Sequence, residues 1–443
     1  MQAVIIAAGR GTRLRRVFSP KPLTPIFGLS LIERIVLVAK LVGVRDFKIV
    51  VGYESDRIKQ ELGDGRKYGV CIEYIENEHW EKGNGVSVLK AREHVNERFL
   101  LLMSDHLFDE VILEELLKGG VNETKSVVCI DTNLSGDHFD LYDATKVRFE
   151  HDKVKKIDKY LNDFNAVDTG VLLYTREIFD ALDESVKAGR FNLADGNQVL
   201  ADRGRLGALD ITGCFWIDVD DEKALKKARK RLIQQLFKPT DGPISKQMNR
   251  RLSTRISAFL ARYNVSPNSI TLGSFCLSML SALFFFLGGH ANVLAAGIMA
   301  QLSSILDGCD GEIARLKFKF SVFGKWLDKV LDRYADGLIV LGMTHAVWKA
   351  TSNELVWLVG FLAMTGTFMN SYTATIYDDL LRKEFIKYNS MRIGRDVRLF
   401  IVFLGALFNQ LFITIAILAL ITNTESIRRL FLLKDAYRIR SVH

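Results

Sequence analysis

The pattern of apolar and polar positions divides the chain into two unlike parts. Up to about residue 260, short apolar runs alternate with charged segments, whereas almost all the long apolar runs follow Pro267. The first part is typical of a water-soluble fold and the second of a membrane domain. We therefore predict a soluble domain at 1–237, a linker with an amphipathic helix at 238–264, and a membrane domain at 265–443.

In the first part, strand-sized apolar runs are interleaved with helical patterns. Residues 29–41 have the helical spacing, and the strand-sized runs lie at 3–7, 47–51, 99–103, 127–130 and 171–174. Strands that alternate with helices predict an α/β fold, Rossmann-like, with a mostly parallel sheet. In such a sheet, ligands bind at the carboxyl ends of the strands.

The second part consists of apolar stretches at 268–289, 291–306, 337–348, 354–375, 396–408 and 411–422. Several are shorter than the ~20 residues that span a bilayer. The second and third reach that length only if their helices continue through the acidic segment between Asp307 and Asp336, and the last two could instead form one helix.

Charge distribution favours six helices over five. Six helices place every Lys- and Arg-rich segment on one side of the membrane, as the positive-inside rule prefers. We therefore predict an all-α domain of six transmembrane helices in the cell membrane, with both termini and the soluble domain in the cytoplasm. The basic, apolar segment 244–263 is interpreted as a helix on an anionic membrane surface or as a plain connector.

Composition narrows the function classes. The 443 residues carry a formal net charge of +8, and many basic residues flank apolar segments, which favours membrane lipids over nucleic acid as the partner. The sequence has neither zinc-finger spacing nor an RNA-binding signature, so we expect no nucleic-acid partner. Its five cysteines lack C-x-x-C spacing, which argues against a disulfide framework. The first residues do not have the pattern of a secretory leader.

The first chemistry-bearing segment is AAGRGTRL followed by PKPLTP. Gly9 and Gly11 let the backbone approach a polyphosphate closely. Arg13 and Lys21 supply positive charge where charge builds on a transferring phosphoryl group. The combination resembles the N-terminal signature of the sugar-nucleotide pyrophosphorylases, a nucleotidyltransferase family. The resemblance implies that Thr12 and both glycines bind the nucleotide and that Arg13 and Lys21 are catalytic.

The resemblance extends over roughly residues 1–230 and implies a metal site. Asp105 ends a strand where this family places a magnesium-binding carboxylate, and WIDVDD resembles the element that supplies a second one. We favour Asp218 as that second ligand, although the spacing leaves Asp220 open. A solvated acidic turn is the alternative reading, and His106 is expected to be a spectator.

Further positions match the family's substrate contacts. Asn84 and Gly85, in the segment KGNG, resemble the loop that reads the nucleotide base, and Lys159 and Asp168 match positions that hold the second substrate. A phosphate monoester is already anionic, so it needs no base to attack a nucleoside triphosphate. Positioning, a divalent cation (Mg²⁺ or Mn²⁺) and two basic side chains can supply the catalysis.

The most specific motif begins at Asp307 and reads D-x2-D-G-x2-A-R-x8-G-x3-D-x3-D. Helical spacing brings its carboxylates together between two helices, as a site for hard divalent cations requires. The four carboxylates are Asp307, Asp310, Asp328 and Asp332. The small residues leave room for a nucleotide pyrophosphate, and the arginine can contact a phosphate or a lipid headgroup. These residues are Gly311, Ala314, Gly324 and Arg315.

This motif is the signature of the CDP-alcohol phosphatidyltransferase family, which the chain resembles over about 265–443. The resemblance implies that the four carboxylates bind metal and that Asp332 is the general base. A base is needed because a neutral hydroxyl attacks the β-phosphate of a CDP-linked donor and CMP leaves. Arg395 and Arg398 are interpreted as ligands of a phosphorylated acceptor or as a positive-inside flank, with Asp396 orienting one of them.

The order of the two halves resembles a bifunctional family that couples an inositol-1-phosphate cytidylyltransferase to a di-myo-inositol phosphate phosphate synthase. The resemblance implies that CTP and inositol 1-phosphate give CDP-inositol, which a second inositol 1-phosphate then converts into a phosphorylated di-inositol phosphodiester. One alternative is transfer of a CDP-alcohol headgroup to a lipid hydroxyl. Another is a non-catalytic nucleotide sensor or transporter. A homodimer is compatible with the sequence, although no G-x-x-x-G or heptad seam identifies its interface.

Overall fold

The computed structural model describes residues 1–11, 19–118, 125–136, 138–237, 242–384 and 393–440. The chain forms two compact units, Met1–Arg231 and Leu232–His443.

The first unit is an α/β fold. Its strands are β1 (Gln2–Ala7), β2 (Pro25–Ile26), β3 (Leu29–Ser30), β4 (Asp46–Val51), β5 (Cys71–Glu76), β6 (Arg98–Met103), β7 (His106–Phe108), β8 (Ser126–Asp131), β9 (Lys146–Glu150), β10 (Lys153–Asp158), β11 (Ala166–Thr175), β12 (Leu206–Asp210) and β13 (Trp216–Asp218). Its helices are α1 (Leu31–Leu41), α2 (Ser55–Leu62), α3 (Asn84–Lys90), α4 (Glu110–Lys118), α5 (Glu177–Lys187), α6 (Leu193–Asp202) and α7 (Glu222–Gln234).

All five strand-sized apolar runs are strands of one nine-stranded sheet, in the order β5-β4-β1-β6-β11-β8-β12-β10-β9. The expectation of a mostly parallel sheet holds only for part of it. The neighbours β5, β4, β1 and β6 are parallel, but β11 is antiparallel to both β6 and β8. An apolar run identifies a buried strand but carries no information about its direction.

This topology brings the functional segments to one edge of the sheet. In the parallel pair β1–β6, Ile6 lies opposite Met103, so Gly9 and Asp105 both follow strand ends at the same edge. Because β11 runs the other way, its beginning, with Asp168, reaches that edge as well. In the separate antiparallel pair β7–β13, Asp218 lies directly opposite His106.

The second unit is helical within its described residues. A π-helical turn, Ser245–Asn249, leads into α8 (Arg250–Leu260). The longer helices are α9 (Pro267–Leu287), α10 (His290–Leu316), α11 (Val322–Thr351), α12 (Leu355–Glu384), α13 (Arg395–Leu407) and α14 (Leu411–Arg440). Within the part of the chain that the structure describes, three helical segments are long and apolar enough to cross a membrane: Pro267–Leu287, Leu355–Tyr377 and Leu411–Leu432.

Helices α10 and α11 continue through the acidic segment, as full-length spans require. They contain 27 and 30 residues and are therefore about 40 and 45 Å long. Their carboxylates lower the mean hydropathy, which is why they do not stand out as apolar spans. Ser321 begins α11 by accepting a hydrogen bond from the Gly324 N–H at 2.8 Å.

The last two apolar stretches form two helices, so the single-helix alternative is wrong. Helix α13 ends at Leu407 and α14 begins at Leu411, with Asn409 in the left-handed region at a φ of 54° between them. Asn is one of the few non-glycine residues that adopts this conformation readily. With 13 residues, α13 is about 20 Å long, shorter than the ~30 Å hydrocarbon core. Six complete spans are therefore not confirmed.

Helix α8 differs from the expected membrane-surface helix. It buries a polar face, comprising Arg250, Ser253, Thr254 and Ser257, and exposes Leu252 and Phe259 together with Arg251 and Arg255. The buried side of α8 packs on α10. Sequence periodicity showed that the segment is two-faced, but it could not show that the polar face is the one turned inward.

Candidate active sites

The glycine-rich turn of the first unit brings the backbone against Lys21. Gly11 has a φ of +57°, and a Cβ at this position would lie 2.5 Å from the Cβ of Lys21. Only glycine tolerates both the conformation and the close approach. Lys21 begins a short 3₁₀ turn with Pro20 before it and Pro22 after it. The predicted residues Thr12 and Arg13 lie outside the described residues.

Lys21 is buried beside three carboxylates. Its Nζ donates to Oδ2 of Asp105 at 2.7 Å and also to Oδ1 of Asp220. Burial alone would lower the pKa of Lys21, but the charges of Asp105, Asp218 and Asp220 raise it above the ordinary value. Lys21 therefore stays protonated over the whole physiological pH range and keeps a fixed positive charge at the site.

Asp105, His106 and Asp218 form the candidate metal centre of this unit. One ligand atom from each lies within 4.8 Å of the others, and Nδ1 of His106 lies 2.8 Å from Oδ1 of Asp105. Burial raises the pKa of Asp218 to about 7, and Asp105 adds to that shift. Within the described residues, the buried Oδ1 of Asp218 has no hydrogen-bond partner. An orphaned carboxylate oxygen beside a second carboxylate fits a divalent cation.

The arrangement favours Asp218 over Asp220 as the second metal ligand. Asp218 joins the cluster with Asp105, whereas Asp220 binds Lys21. His106 also belongs to the cluster by position, and its role as a spectator stays a prediction. The sequence gives no signal for this position, because the pairing of β7 with β13 is what brings His106 opposite Asp218.

Two clefts meet at this cluster. One of about 370 Å³ is lined by residues that include Gly9, Gly11, Lys21 and Trp80. The other, of about 510 Å³, is lined by residues that include His106, Lys159, Asp168 and Asp218. Both clefts are bounded by Asn84, Met103, Asp105 and Asp220. Two ligands could therefore bind side by side and meet at Asp105.

The predicted base-reading loop is tied to the start of α6. Oδ1 of Asn84 accepts from the Leu193 N–H at 2.7 Å, so its carbonyl side is engaged while the side chain still lines both clefts. Gly85 donates its N–H to the Phe191 carbonyl at 3.0 Å, and a Cβ there would lie 2.7 Å from that oxygen. Gly85 thus serves close packing of the loop.

The predicted second-substrate residues, Lys159 and Asp168, both line the larger cleft. Lys159 forms an ion pair with Asp143. Oδ1 of Asp168 accepts from the Gly170 N–H at 2.8 Å. Burial raises the pKa of Asp168 to about 6, so the carboxylate is charged at neutral pH and can accept hydrogen bonds from hydroxyl groups.

In the second unit, Asp307, Asp328 and Asp332 form a second cluster in which one oxygen of each lies within 4.8 Å of the others. Among the described residues, the buried Oδ1 of Asp328 has no hydrogen-bond partner, which again fits a divalent cation. Asp310 is oriented differently, because it accepts from Thr271 Oγ1 at 2.6 Å and from the Gly311 N–H.

The other signature residues lie along α10 and α11. A Cβ on Gly311 would meet only Arg315 Nη1, at 3.5 Å, so the helix surface there is open. Gly324 is confined, since a Cβ would lie 2.7 Å from Ser321 Oγ and 2.9 Å from Asn268 Oδ1. Ala314 is half-buried on the first helix. Arg315 donates to the Leu236 carbonyl at 3.3 Å.

Arg395 and Arg398 lie at the cluster and not at an outer flank. Nη1 of Arg395 is 2.7 Å from Asp332 and 3.0 Å from Asp307, and its Nε donates to Asp336 at 3.0 Å. Arg398 donates to Asp336 at 2.7 Å. Arg398 is buried, the side chain of Arg395 is only 12% exposed, and both share the carboxylate of Asp336, so the flank alternative does not fit their contacts. Asp396 orients neither of them in these contacts, since it accepts from the Ser245 N–H at 2.8 Å.

A cavity of about 300 Å³ opens beside this cluster. Three arginines from different helices line it, together with Asp307 of the signature: Arg250, Arg395 and Arg429. Each is paired with a carboxylate, Glu312, Asp336 and Glu425 respectively. The cavity is thus suited to an anion that has to approach the metal-binding carboxylates.

Comparisons with known proteins assign a family to each of the two units. Residues 3–199 match the family of MobA-like NTP transferase domains, and residues 264–427 match the CDP-alcohol phosphatidyltransferases. The chain is 34% identical over 432 residues to a protein of Thermococcus kodakarensis named bifunctional IPC transferase and DIPP synthase, with 94% of each chain covered. A protein of the same name from Aquifex aeolicus is 32% identical, with 97% of each chain covered.

The chain belongs to this family of bifunctional IPC transferases and DIPP synthases. It is also 31% identical over 180 residues to the archaetidylinositol phosphate synthase of Pyrococcus horikoshii, which covers 40% of this chain and 88% of that protein. Both catalytic modules expected from the sequence are thereby confirmed, and the chain is a transferase in each of its units.

Sequence reasoning missed two buried carboxylates that organise the second site of this family member. Asp336 lies one turn beyond Asp332 and holds both Arg395 and Arg398. Glu312 lies inside the signature and is 0% exposed. The sequence does contain a signal for Asp336, since 328, 332 and 336 repeat at four residues, but the family signature ends at Asp332.

Proposed function

We propose that this chain carries out two consecutive transfers. In the first unit, inositol 1-phosphate attacks CTP to give CDP-inositol and pyrophosphate. In the second unit, a hydroxyl of another inositol 1-phosphate attacks CDP-inositol, giving a phosphorylated di-inositol phosphodiester and CMP. The observation that supports the proposal best is the presence of one carboxylate cluster in each unit, at Asp105–Asp218 and at Asp307–Asp332.

In the first transfer, the bond that forms joins a phosphate-monoester oxygen of inositol 1-phosphate to the α-phosphorus of CTP. The bond between that phosphorus and the α,β-bridging oxygen breaks, and pyrophosphate leaves with the electron pair. The smaller cleft, beside Gly9 and Gly11, is suited to the triphosphate, and the larger, with Lys159 and Asp168, to the inositol phosphate. Lys21 lines the smaller cleft and binds Asp105, which bounds both clefts, and we assign to it the stabilisation of charge on the transferring group.

The carboxylates of each unit fit a divalent cation, for which we propose Mg²⁺, with Mn²⁺ as the alternative. In the first unit the ligands are Asp105 and Asp218, and in the second Asp307, Asp328 and Asp332 with Asp310 nearby. A bound cation would neutralise charge on the phosphoryl oxygens. The orphaned oxygens of Asp218 and Asp328 are the observation that supports this assignment.

In the second transfer, the nucleophile is a neutral hydroxyl and requires a base. We assign this role to Asp332, which takes the proton as the oxygen attacks the inositol-linked phosphorus of CDP-inositol and CMP leaves. The acceptor's own phosphate fits the cavity lined by Arg250, Arg395 and Arg429. Guanidinium groups suit a phosphate because their planar donors match its oxygens.

We also propose that α9 to α14 cross the membrane as six helices, with both termini and the first unit in the cytoplasm. The lengths of α10 and α11 support this, because each exceeds the ~30 Å of a hydrocarbon core. Because α13 is short, the residues that flank it would have to complete the span to the membrane–water interface. Labelling of single cysteines introduced at 289 and 352 should occur from the outside of intact cells. Labelling of both only after permeabilisation would overturn this topology.

Product analysis by phosphorus NMR tests the two-step proposal. Purified protein in detergent is given CTP, inositol 1-phosphate and Mg²⁺, and wild type is compared with Asp105→Ala and Asp332→Ala. Wild type should form pyrophosphate, CMP and a new phosphodiester. Asp105→Ala should do so only with added CDP-inositol, and Asp332→Ala should stop at CDP-inositol. Failure of wild type to release pyrophosphate from inositol 1-phosphate would exclude this substrate.

A lipid acceptor is the second candidate, favoured by the similarity to an archaetidylinositol phosphate synthase. In that case the second unit would transfer the headgroup to a lipid hydroxyl. A phosphorus-containing product that partitions into organic solvent, formed only when lipid is supplied, would favour this candidate. A product that stays in water in the presence of lipid would favour the di-inositol phosphodiester.

A further inference from the structure

Glu312 is a fully buried carboxylate in the middle of the signature of α10, at 0% exposure. Among the described residues, it accepts three hydrogen bonds, all from α8. Arg250 Nη1 and Ser253 Oγ bind its Oε1, each at 2.6 Å, and Ser257 Oγ binds Oε2 at 2.7 Å. The three donors follow one face of α8 over two turns.

The hydrogen bonds to Glu312 lie on one particular face of α10. Asp307, Asp310, Gly311 and Ala314 share one face of α10, and Glu312 projects from the opposite side. Gly308 lies towards the same donors, since a Cβ there would make ordinary contact, at 3.5 Å, with both Arg250 Nη1 and Ser253 Oγ. Helix α8 therefore contacts α10 on the face opposite the carboxylates that we propose as metal ligands.

The donors of Glu312 include two residues of the acceptor cavity. Arg250 and Ser253 line that cavity together with Asp307 and Arg395. Ser257 does not belong to the described residues that line it. One carboxylate thus connects the back of the signature helix to part of the cavity wall, which a merely structural anchor between two helices would not require.

A buried carboxylate is expensive unless it is paired and fully hydrogen-bonded. Here the pairing partner is Arg250, whose side chain is 9% exposed. The carboxylate also restricts the Arg250 side chain to one orientation, whereas a free arginine side chain samples many rotamers. An arginine that is already in place binds a phosphate without the cost of ordering it.

We propose that Glu312 is a positioning residue for the second transfer, which holds Arg250 and Ser253 at the cavity wall and thereby sets the affinity for the phosphorylated acceptor. The inference rests on the proposed function, because it takes the acceptor's phosphate to bind in this cavity. Glu312 itself touches neither substrate.

The test uses the full-length protein in detergent, supplied with CDP-inositol and varied inositol 1-phosphate. Glu312→Gln keeps the shape and one acceptor oxygen but removes the charge that holds Arg250. The acceptor KM should rise about tenfold, the effect of weakening a charge-assisted hydrogen bond. The KM for CDP-inositol and the rate of the first transfer should stay within about twofold. An unchanged acceptor KM would overturn the inference.

Ser257→Ala is the matched control. It removes a donor to the same carboxylate, at the end of α8 that is away from the cavity, and should leave the acceptor KM within about twofold of wild type. If Ser257→Ala raised the acceptor KM as much as Glu312→Gln does, the carboxylate would be a general helix anchor and the inference would be wrong.

A double variant tests whether Glu312 acts through Arg250. Arg250→Lys alone should raise the acceptor KM, and adding Glu312→Gln should raise it little further, because the group that Glu312 positions is already altered. Effects that multiply would show independent roles and contradict the inference. If Glu312→Gln does not accumulate, Arg250→Lys and Ser257→Ala are compared instead. Equal acceptor KM values in these two variants would refute the inference about Glu312.

Failure of the proposed function would give a different result from failure of the inference about Glu312. If wild type makes no phosphodiester from CDP-inositol and inositol 1-phosphate, the assignment of the acceptor is wrong, whatever Glu312 does. If wild type makes the phosphodiester and Glu312→Gln has the wild-type acceptor KM, only the inference about Glu312 fails.

Discussion

The ammonium group of Lys21 lies 2.7 Å from Oδ2 of Asp105. This contact joins the Pro-Lys-Pro segment to the end of β6. Asp220, which follows β13, binds the same ammonium group. The pair is buried on the lysine side and lies where the two clefts of the first unit meet. A fixed positive charge next to a carboxylate that we propose as a metal ligand is suited to stabilising a transferring phosphoryl group.

Replacing Lys21 should therefore disable the first transfer alone. Lys21→Gln is expected to reduce pyrophosphate release from CTP and inositol 1-phosphate by about 100-fold or more, the effect of removing one preorganised charge. The second transfer should keep its wild-type rate when CDP-inositol is supplied. Lys226→Gln, at an exposed position of α7, is the control and should leave both rates unchanged. Loss of the second transfer in Lys21→Gln would indicate a folding defect.

Asp218 and Asp220 should differ although they are two positions apart. Asp218→Asn removes a member of the Asp105 cluster, so we expect loss of the first transfer that excess Mg²⁺ does not restore. Asp220→Asn removes a partner of Lys21, so we expect a fall of about tenfold with an unchanged Mg²⁺ requirement. Rates measured over a range of Mg²⁺ concentrations separate the two. The reverse pattern would make Asp220 the metal ligand.

Asp131 should give the first unit a defined pH dependence. Burial opposes the charge on this carboxylate, but donors that include His138 and Trp216 lower its pKa to about 2. Because this value lies below the ordinary pKa of ~3.9, the charged form stabilises the fold. The contribution is fully present above pH ~4 and is lost as the pH falls through the folded value.

Asp131→Asn should accordingly lower the free energy of unfolding of the first unit by about 2 kcal/mol at pH 7. The difference from wild type should shrink at pH 3. Urea unfolding followed by pulse proteolysis measures both values. Asp210→Asn is the control, since the exposed Asp210 is bound by Thr212 as Asp131 is. A difference that grows towards low pH would contradict the assignment.

Asp332 and Asp336 lie one helical turn apart and should have separate effects on the second transfer. Asp332→Asn removes a cluster carboxylate and the proposed base, so the transfer should stop at CDP-inositol. Asp336→Asn releases Arg395 and Arg398 from their shared partner, so the acceptor KM should rise about tenfold while the Mg²⁺ requirement stays the same. Initial rates with varied acceptor and varied Mg²⁺ check both. An altered Mg²⁺ requirement in Asp336→Asn would place it among the ligands.

The sequence could predict the elements and the signature residues because each has a local pattern. The apolar runs that became β1, β4, β6, β8 and β11 are continuous in the chain, and the carboxylates of α10 and α11 have helical spacing. Strand direction has no such pattern, so the antiparallel β11 was not expected. Exposed strands such as β10, Lys153–Asp158, are too polar to be recognised as strands.

The site residues that were missed depend on partners far away in the chain. Glu312 is bound by residues from α8 that lie 55 to 62 positions earlier. The sequence predicted a phosphate beside Arg395 but not its carboxylate partners. These partners, Asp307, Asp332 and Asp336, come from two other helices. A single acidic residue in a charged segment gives no signal until the fold supplies its partner.

The unbroken course of α10 has a consequence for where substrates can reach the second site. A helix that rises ~1.5 Å per residue carries Asp307 about 25 Å along its axis from His290, close to the ~30 Å thickness of the hydrocarbon core. In the six-helix topology proposed above, the carboxylates would lie towards the cytoplasmic face of the bilayer and not at its midplane. Water-soluble inositol phosphates would then meet a membrane-embedded catalyst by diffusing up to an open rim, without being carried across the lipid.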